Sequence, residues 1–93
     1  MREMKIERAL VKQIKHFGGL ALKFTSPGFD GVPDRLVLLP GGKIAFVELK
    51  APGKKMRPLQ VKRKSQLEAL GFLVYCIDSL EQIGGILDEI RVT

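Results

Sequence analysis

Ninety-three residues with 45% hydrophobic content describe one folded domain spanning 1–93, too short to divide and too apolar to be a disordered basic tail. Sixteen Lys and Arg against ten Asp and Glu leave a net charge of +6, so the expected partner is an anionic polymer, with nucleic acid ahead of an acidic membrane surface. A single cysteine excludes a disulfide framework and a thiolate zinc site, and no apolar run approaches the roughly 18–20 residues of a bilayer span. The charged start leads into no signal-like apolar stretch, so a cytoplasmic protein is expected, with any metal on oxygen ligands. A core this small also makes self-association a reasonable expectation.

In chain order, Ile6, Leu10, Val11, Ile14 and Phe17 recur at helical spacing, with Lys5, Arg8, Lys12 and Lys15 on the opposite side; this predicts an amphipathic helix over about 3–17, closed by Gly18-Gly19. A short strand over 20–24 precedes the loop Thr25 to Pro33, whose glycines and prolines exclude regular structure. Residues 35–39 and 43–51 read as a hairpin about the turn Pro40-Gly41-Gly42. The second hairpin strand is apolar on both faces, which places helices on both sides of a sheet. Pro52-Gly53 ends it, and a basic connector leads to a helix opened by Pro58 and running to about Leu70, with Leu59, Leu67 and Leu70 on one stripe. A buried strand over 72–77 follows, then a helix over about 80–90 that Asp78 or Ser79 can cap.

Charge is uneven along this order. Eight of the sixteen basic residues and a single acidic one, Glu48, lie between Lys43 and Lys64, whereas Ser65 to Thr93 holds five acidic residues and one basic. The hairpin and connector are therefore the expected anion-facing side.

Glu48-Leu49-Lys50 puts a carboxylate and an ammonium on one face of a strand, about 6.5–7 Å apart along the chain. If Leu39 pairs with Lys43 across the three-residue turn, paired positions sum to a constant and Asp34 falls opposite Glu48. Directly opposed side chains have Cβ atoms about 4.5–5.5 Å apart, close enough for two carboxylates to share a divalent ion. Without the ion they repel, and one carboxyl tends to stay protonated. Glu7 falls inside the apolar arc of the first helix, where a free carboxylate is costly; Lys50 or the metal could pair with it.

Gly31-Val32-Pro33-Asp34, the hairpin ending Val47-Glu48-Leu49-Lys50, and Gln60 followed by Leu67 and Gly71 together resemble the virus-type replication-repair nuclease (VRR-NUC) domain of the PD-(D/E)XK nuclease superfamily. The resemblance covers nearly the whole chain. It implies an α/β fold in which a central mixed sheet is flanked by helices in the order αβββαβ. It implies a Mg²⁺-dependent DNA endonuclease, with Mn²⁺ able to substitute, in which Asp34 and Glu48 bind the metal and Lys50 orients or activates the attacking water. Glu7 matches the acidic residue of the family's first helix, and Gln60 the motif glutamine after the hairpin. Minimal members of the family resemble structure-specific nucleases that cut four-way (Holliday) junctions as homodimers, in bacterial or phage settings.

Lys54, Lys55, Arg57, Lys62, Arg63 and Lys64 read as phosphate contacts rather than a solvated face, because they directly follow the carboxylate pair. Arg63 falls among Leu59, Leu67 and Leu70, where its stem could instead cover apolar surface. His16 is expected to be exposed, and Cys76 and Tyr75 to be ordinary strand residues. A noncatalytic nucleic-acid-binding module on a degenerate nuclease fold is the competing reading, and a nuclease directed at RNA is a third.

Overall fold

The computed structural model describes residues 2–93. The elements run α1 (Glu3–His16), β1 (Leu20–Lys23), β2 (Arg35–Leu39), β3 (Lys43–Leu49), α2 (Pro58–Ala69), β4 (Leu73–Ile77) and α3 (Gln82–Val92). The strands form one mixed sheet ordered β1-β2-β3-β4, antiparallel except for the parallel β3-β4 pair. Parallel pairing needs a crossover, and the connector with α2 supplies it.

Because successive strand residues point to opposite faces, the register sorts the side chains into two layers. One face carries the rows Ala21–Val37–Ala45–Leu73 and Lys23–Arg35–Val47–Tyr75. It packs Val37, Leu39, Ala45, Val47, Leu49 and Ile77 against Ile6, Leu10 and Ile14 of α1 and Ile83, Leu87 and Ile90 of α3, which forms the main core. Truncating a fully buried member such as Leu10 to Ala would cost about 2–5 kcal/mol. The other face carries the rows Leu20–Leu38–Ile44 and Leu22–Leu36–Phe46–Val74, and then Glu48 opposite Cys76. Phe46 meets Phe24 and Phe72 there, at centroid distances of 5.4 and 5.7 Å.

The expected elements are all present, with local differences that have clear causes. The turn after β2 holds Gly41 at φ 87° and Gly42 at φ 73°, so two consecutive left-handed residues close the hairpin at the expected register. The last helix starts at Gln82 rather than near Leu80. Its amide Oε1 accepts from the backbone N–H groups of Asp78 and Ser79, at 2.7 and 3.1 Å, so the chain wraps around Gln82 instead of being capped by Asp78 or Ser79. The carboxylate of Asp78 accepts from Gly53 N–H and steadies the connector.

The largest departure concerns α2. The expected stripe of Leu59, Leu67 and Leu70 is not buried: Leu59 is 40% and Leu70 73% exposed, and the buried residue of this helix is the polar Gln60. The covered face of the helix is instead the stripe Gln60, Arg63, Lys64 and Leu67, of which only Gln60 is fully buried.

Candidate active site

The site lies where β3 and β4, running parallel, reach their C-terminal ends and face the first turn of α2. Asp34 enters it from the loop before β2. Its backbone carbonyl accepts from Phe24 N–H at 2.9 Å, and its Oδ2 accepts from Leu49 N–H at 2.9 Å, so the side chain takes over one ladder bond of the hairpin. Arg35 pairs with Val47, and the same register one step further sets Asp34 opposite Glu48, as the hairpin arithmetic requires.

Glu48 is 2% exposed, unusual for a carboxylate. Its Oε2 is held twice: Gln60 Nε2 donates at 2.6 Å, and Lys50 Nζ lies at 3.1 Å. Its Oε1 is buried and has no hydrogen-bond partner. Burial, and then the negative charge of Asp34, push the Glu48 carboxyl above its ordinary range, while Lys50 pulls it down. Lys50 is itself largely covered, with 15% of its side chain exposed.

Gln60 is placed by helix geometry. It is the third residue of α2, and its Oε1 accepts from Arg57 N–H at 2.8 Å, capping the helix start, while its amide nitrogen reaches back to Glu48. One side chain thus ties the start of α2 to the buried carboxylate.

An unpartnered buried carboxylate oxygen costs free energy in a dry site unless a donor or cation meets it. Asp34 and Glu48, two hard oxygen donors with one such atom between them, fit a divalent cation of the Mg²⁺ class. Among the described residues no cluster of three His, Cys, Asp or Glu assembles.

Glu7 does not join it. Its Oε2 accepts from Arg35 Nε at 2.8 Å, and Arg35 also donates to the Ala21 carbonyl. Arg35 projects on the α1 side of the sheet, whereas Glu48 and Lys50 project on the α2 side, so the sheet separates Glu7 from the expected ligand pair. The wheel correctly marks Glu7 as inward-turned; the partner is Arg35 rather than Lys50 or a metal.

The basic tract divides in two. Lys54, Lys55, Arg57 and Lys62 are exposed. Arg63 is not a free cation: its guanidinium lies 3.6 Å from the centroid of the Phe29 ring, donates to the Asp30 carbonyl at 2.7 Å and to Gln66 at 2.9 Å. Lys64 pairs with Glu68 at 2.8 Å. Arg63 therefore fastens the Thr25–Pro33 loop, which delivers Asp34, onto α2. Gly31 completes this contact, since at φ 89° a Cβ there would sit 2.8 Å from Leu59. This clamp has no signature in the sequence beyond a charged residue on an apolar stripe. His16 is exposed as expected. Burial and the nearby Glu48 charge push the Cys76 thiol above its ordinary value.

No protein-family model matches the chain. It is 50% identical over 91 residues to a protein named "Putative nuclease p44" from Acyrthosiphon pisum secondary endosymbiont phage 1, covering 98% of this chain and 97% of that one. A solved structure described as a VRR_NUC domain superposes with a TM-score of 0.87 at 30% identity, over 92% of this chain and 94% of the other. The fold, the order of its strands and these two full-length similarities agree that the chain belongs to the VRR-NUC family.

Proposed function

We propose that the protein is a Mg²⁺-dependent DNA endonuclease that hydrolyses phosphodiester bonds in branched DNA, four-way junctions in particular. The observation that carries this reading is the buried Oε1 of Glu48, unpartnered, with Asp34 opposite and Lys50 alongside. A noncatalytic module has no use for a buried carboxylate kept short of partners.

Asp34 and Glu48 would hold the ion, which Mn²⁺ could replace, and the chemistry it supplies is neutralisation of the scissile phosphate and a lowered pKa for the attacking water. Lys50 places a positive charge beside Glu48, where it can stabilise charge developing on the phosphate oxygens and orient the water. Gln60 is a positioning residue: it holds Oε2 of Glu48 and leaves the buried Oε1 without a partner. Lys54, Lys55, Arg57 and Lys62 supply phosphate contacts that hold the strand across the carboxylates.

Cutting both strands of a branched substrate calls for two sites, and a two-fold homodimer provides them. Support comes from the α2 face of the sheet, where Leu20, Leu22 and Ile44 are 58%, 43% and 41% exposed beyond the reach of α2. A second copy covering this face would remove an apolar surface and the open edge of β1 together.

The test is incubation with labelled single-stranded, duplex, flap and four-way DNA in Mg²⁺ or EDTA, with light scattering at the same concentration. Cleavage of the junction in Mg²⁺ alone is expected, with Glu48→Ala and Lys50→Ala inactive yet retaining most of the DNA affinity. Parental cutting rates in either variant would overturn the site, and a monomer that resolves junctions would overturn the dimer.

A further inference from the structure

A cleft of about 530 Å³ lies away from the carboxylate pair, between α1 and the β1–β2 edge. Arg8, Lys12 and Lys15 form its helical wall, and Lys23 and Arg35, directly paired across β1 and β2, form its sheet wall. Its one carboxylate is Glu7, already consumed by Arg35. Arg8, Lys12, Lys15 and Lys23 have no hydrogen-bond or ion-pair partner among the described residues, and all four are exposed.

A row of lysines on one helix is ordinarily a solvated face. Here cations from two separate elements converge on one concavity, which a fold does not require and which like-charge repulsion opposes. Two facing basic walls focus positive potential between them. Arg8, Lys12 and Lys15 span about 10 Å along the helix axis, the axial length of about three base pairs of duplex.

Position supplies the second argument. Arg35 directly follows Asp34 in the chain, so the cleft reaches the same strand end as the carboxylate pair, but on the α1 side of the sheet. The exposed basic connector stands on the α2 side, with Lys50 and Glu48. One duplex arm passing the carboxylates over the connector leaves the α1 cleft empty; a branch offers a second backbone to fill it.

We propose that the α1 cleft is a second nucleic-acid site, which holds the phosphate backbone of a different arm of a branched substrate from the arm gripped by Lys54, Lys55 and Arg57. This deepens the nuclease reading and rests on it.

The test measures binding in EDTA by fluorescence anisotropy over a salt series, using a linear duplex and a four-way junction built from the same arm sequence. The cleft variant combines Arg8→Gln, Lys12→Gln, Lys15→Gln and Lys23→Gln, and the comparison variant combines Lys54→Gln, Lys55→Gln and Arg57→Gln. On the junction, the cleft variant should lose at least about tenfold in affinity, with the log–log salt slope falling by about 2–3.5, since each phosphate contact contributes about 0.9. Its affinity for the linear duplex should change by less than about twofold, while the connector variant weakens both. Equal weakening of both DNAs by the cleft variant, or of neither, would overturn the proposal. If the fourfold variant fails to fold by circular dichroism, the Arg8→Gln, Lys12→Gln pair gives the same contrast at about half the slope change. This junction-specific loss in the cleft variant, together with a parental protein that cuts nothing in Mg²⁺, would end the nuclease reading while supporting the cleft.

Discussion

Gln60 offers the sharpest probe of how the site is held. Replacing it with Ala removes two hydrogen bonds at once: the 2.6 Å bond to the Glu48 carboxylate and the 2.8 Å bond that caps α2 at Arg57 N–H. A bond to a buried charged group contributes about 1.5–3 kcal/mol and a neutral one about 0.5–1.5, so the loss should reach about 2–4.5 kcal/mol. A 93-residue domain has about 5–14 kcal/mol of stability in total, and each kcal/mol moves its Tm by about 4–8 °C. Thermal unfolding in EDTA, followed by circular dichroism, should therefore show a Tm at least about 8 °C below the parent. Gln60→Glu separates capping from clamping, because it keeps an acceptor for Arg57 but sets a carboxylate against Glu48. It should take up one more proton on folding than the parent and recover stability more steeply as the pH is lowered than Gln60→Ala, which keeps only the dependence due to Glu48. A Gln60→Ala protein that melts with the parent would refute both hydrogen bonds and the positioning role built on them.

Four further outcomes are expected. In EDTA the raised Glu48 carboxyl stabilises the fold fully below its ordinary value of 4.5 and loses that contribution as pH rises through the raised value, so the parental Tm should fall relative to Glu48→Gln over that range. Mg²⁺ should reverse the fall by an amount that grows with pH, since protons and metal compete for one carboxylate; a metal-induced shift independent of pH would count against Glu48 as a ligand. Removing Lys54, Lys55 and Arg57 together should weaken binding to every DNA similarly and flatten its salt dependence, with unchanged binding leaving the connector as solvated charge. Tyr75, the single tyrosine, should ionise near pH 12 instead of 10.0 because of burial and its bond to Glu89; Glu89→Gln should bring the phenolate absorbance to a lower pH, though still above 10, and no movement would place Glu89 elsewhere.

The parts of the fold legible in the sequence are those governed by local rules. Glycines in the hairpin turn and alternation along residues 35–39 and 43–49 fix the register, and with it the opposition of Asp34 and Glu48. The turning of Glu7 toward the interior follows from the helical wheel, but the wheel cannot say that Arg35 is the strand residue lying beneath it. Arg63 was ambiguous for a related reason. Its wheel position showed that it was not free to be wholly solvated, but only the path of the loop brings Phe29 and the Asp30 carbonyl within reach. The apolar spacing of α2 misleads because the face that docks is the mostly polar stripe Gln60, Arg63, Lys64 and Leu67, rotated away from Leu59 and Leu70.

That manner of docking links both carboxylates to one weakly anchored element. Glu48 is held through Gln60, and the loop that presents Asp34 is fastened through Arg63, so both supports belong to α2, while the main core is built by α1, α3 and the sheet. Helices with few buried apolar contacts open at lower free energy than the body of a domain. Amide exchange should accordingly rank α2 below α1 and α3 in protection, and catalytic competence should disappear on heating before the sheet loses its structure. The protein then has two melting events in principle, one for its chemistry and a later one for its shape.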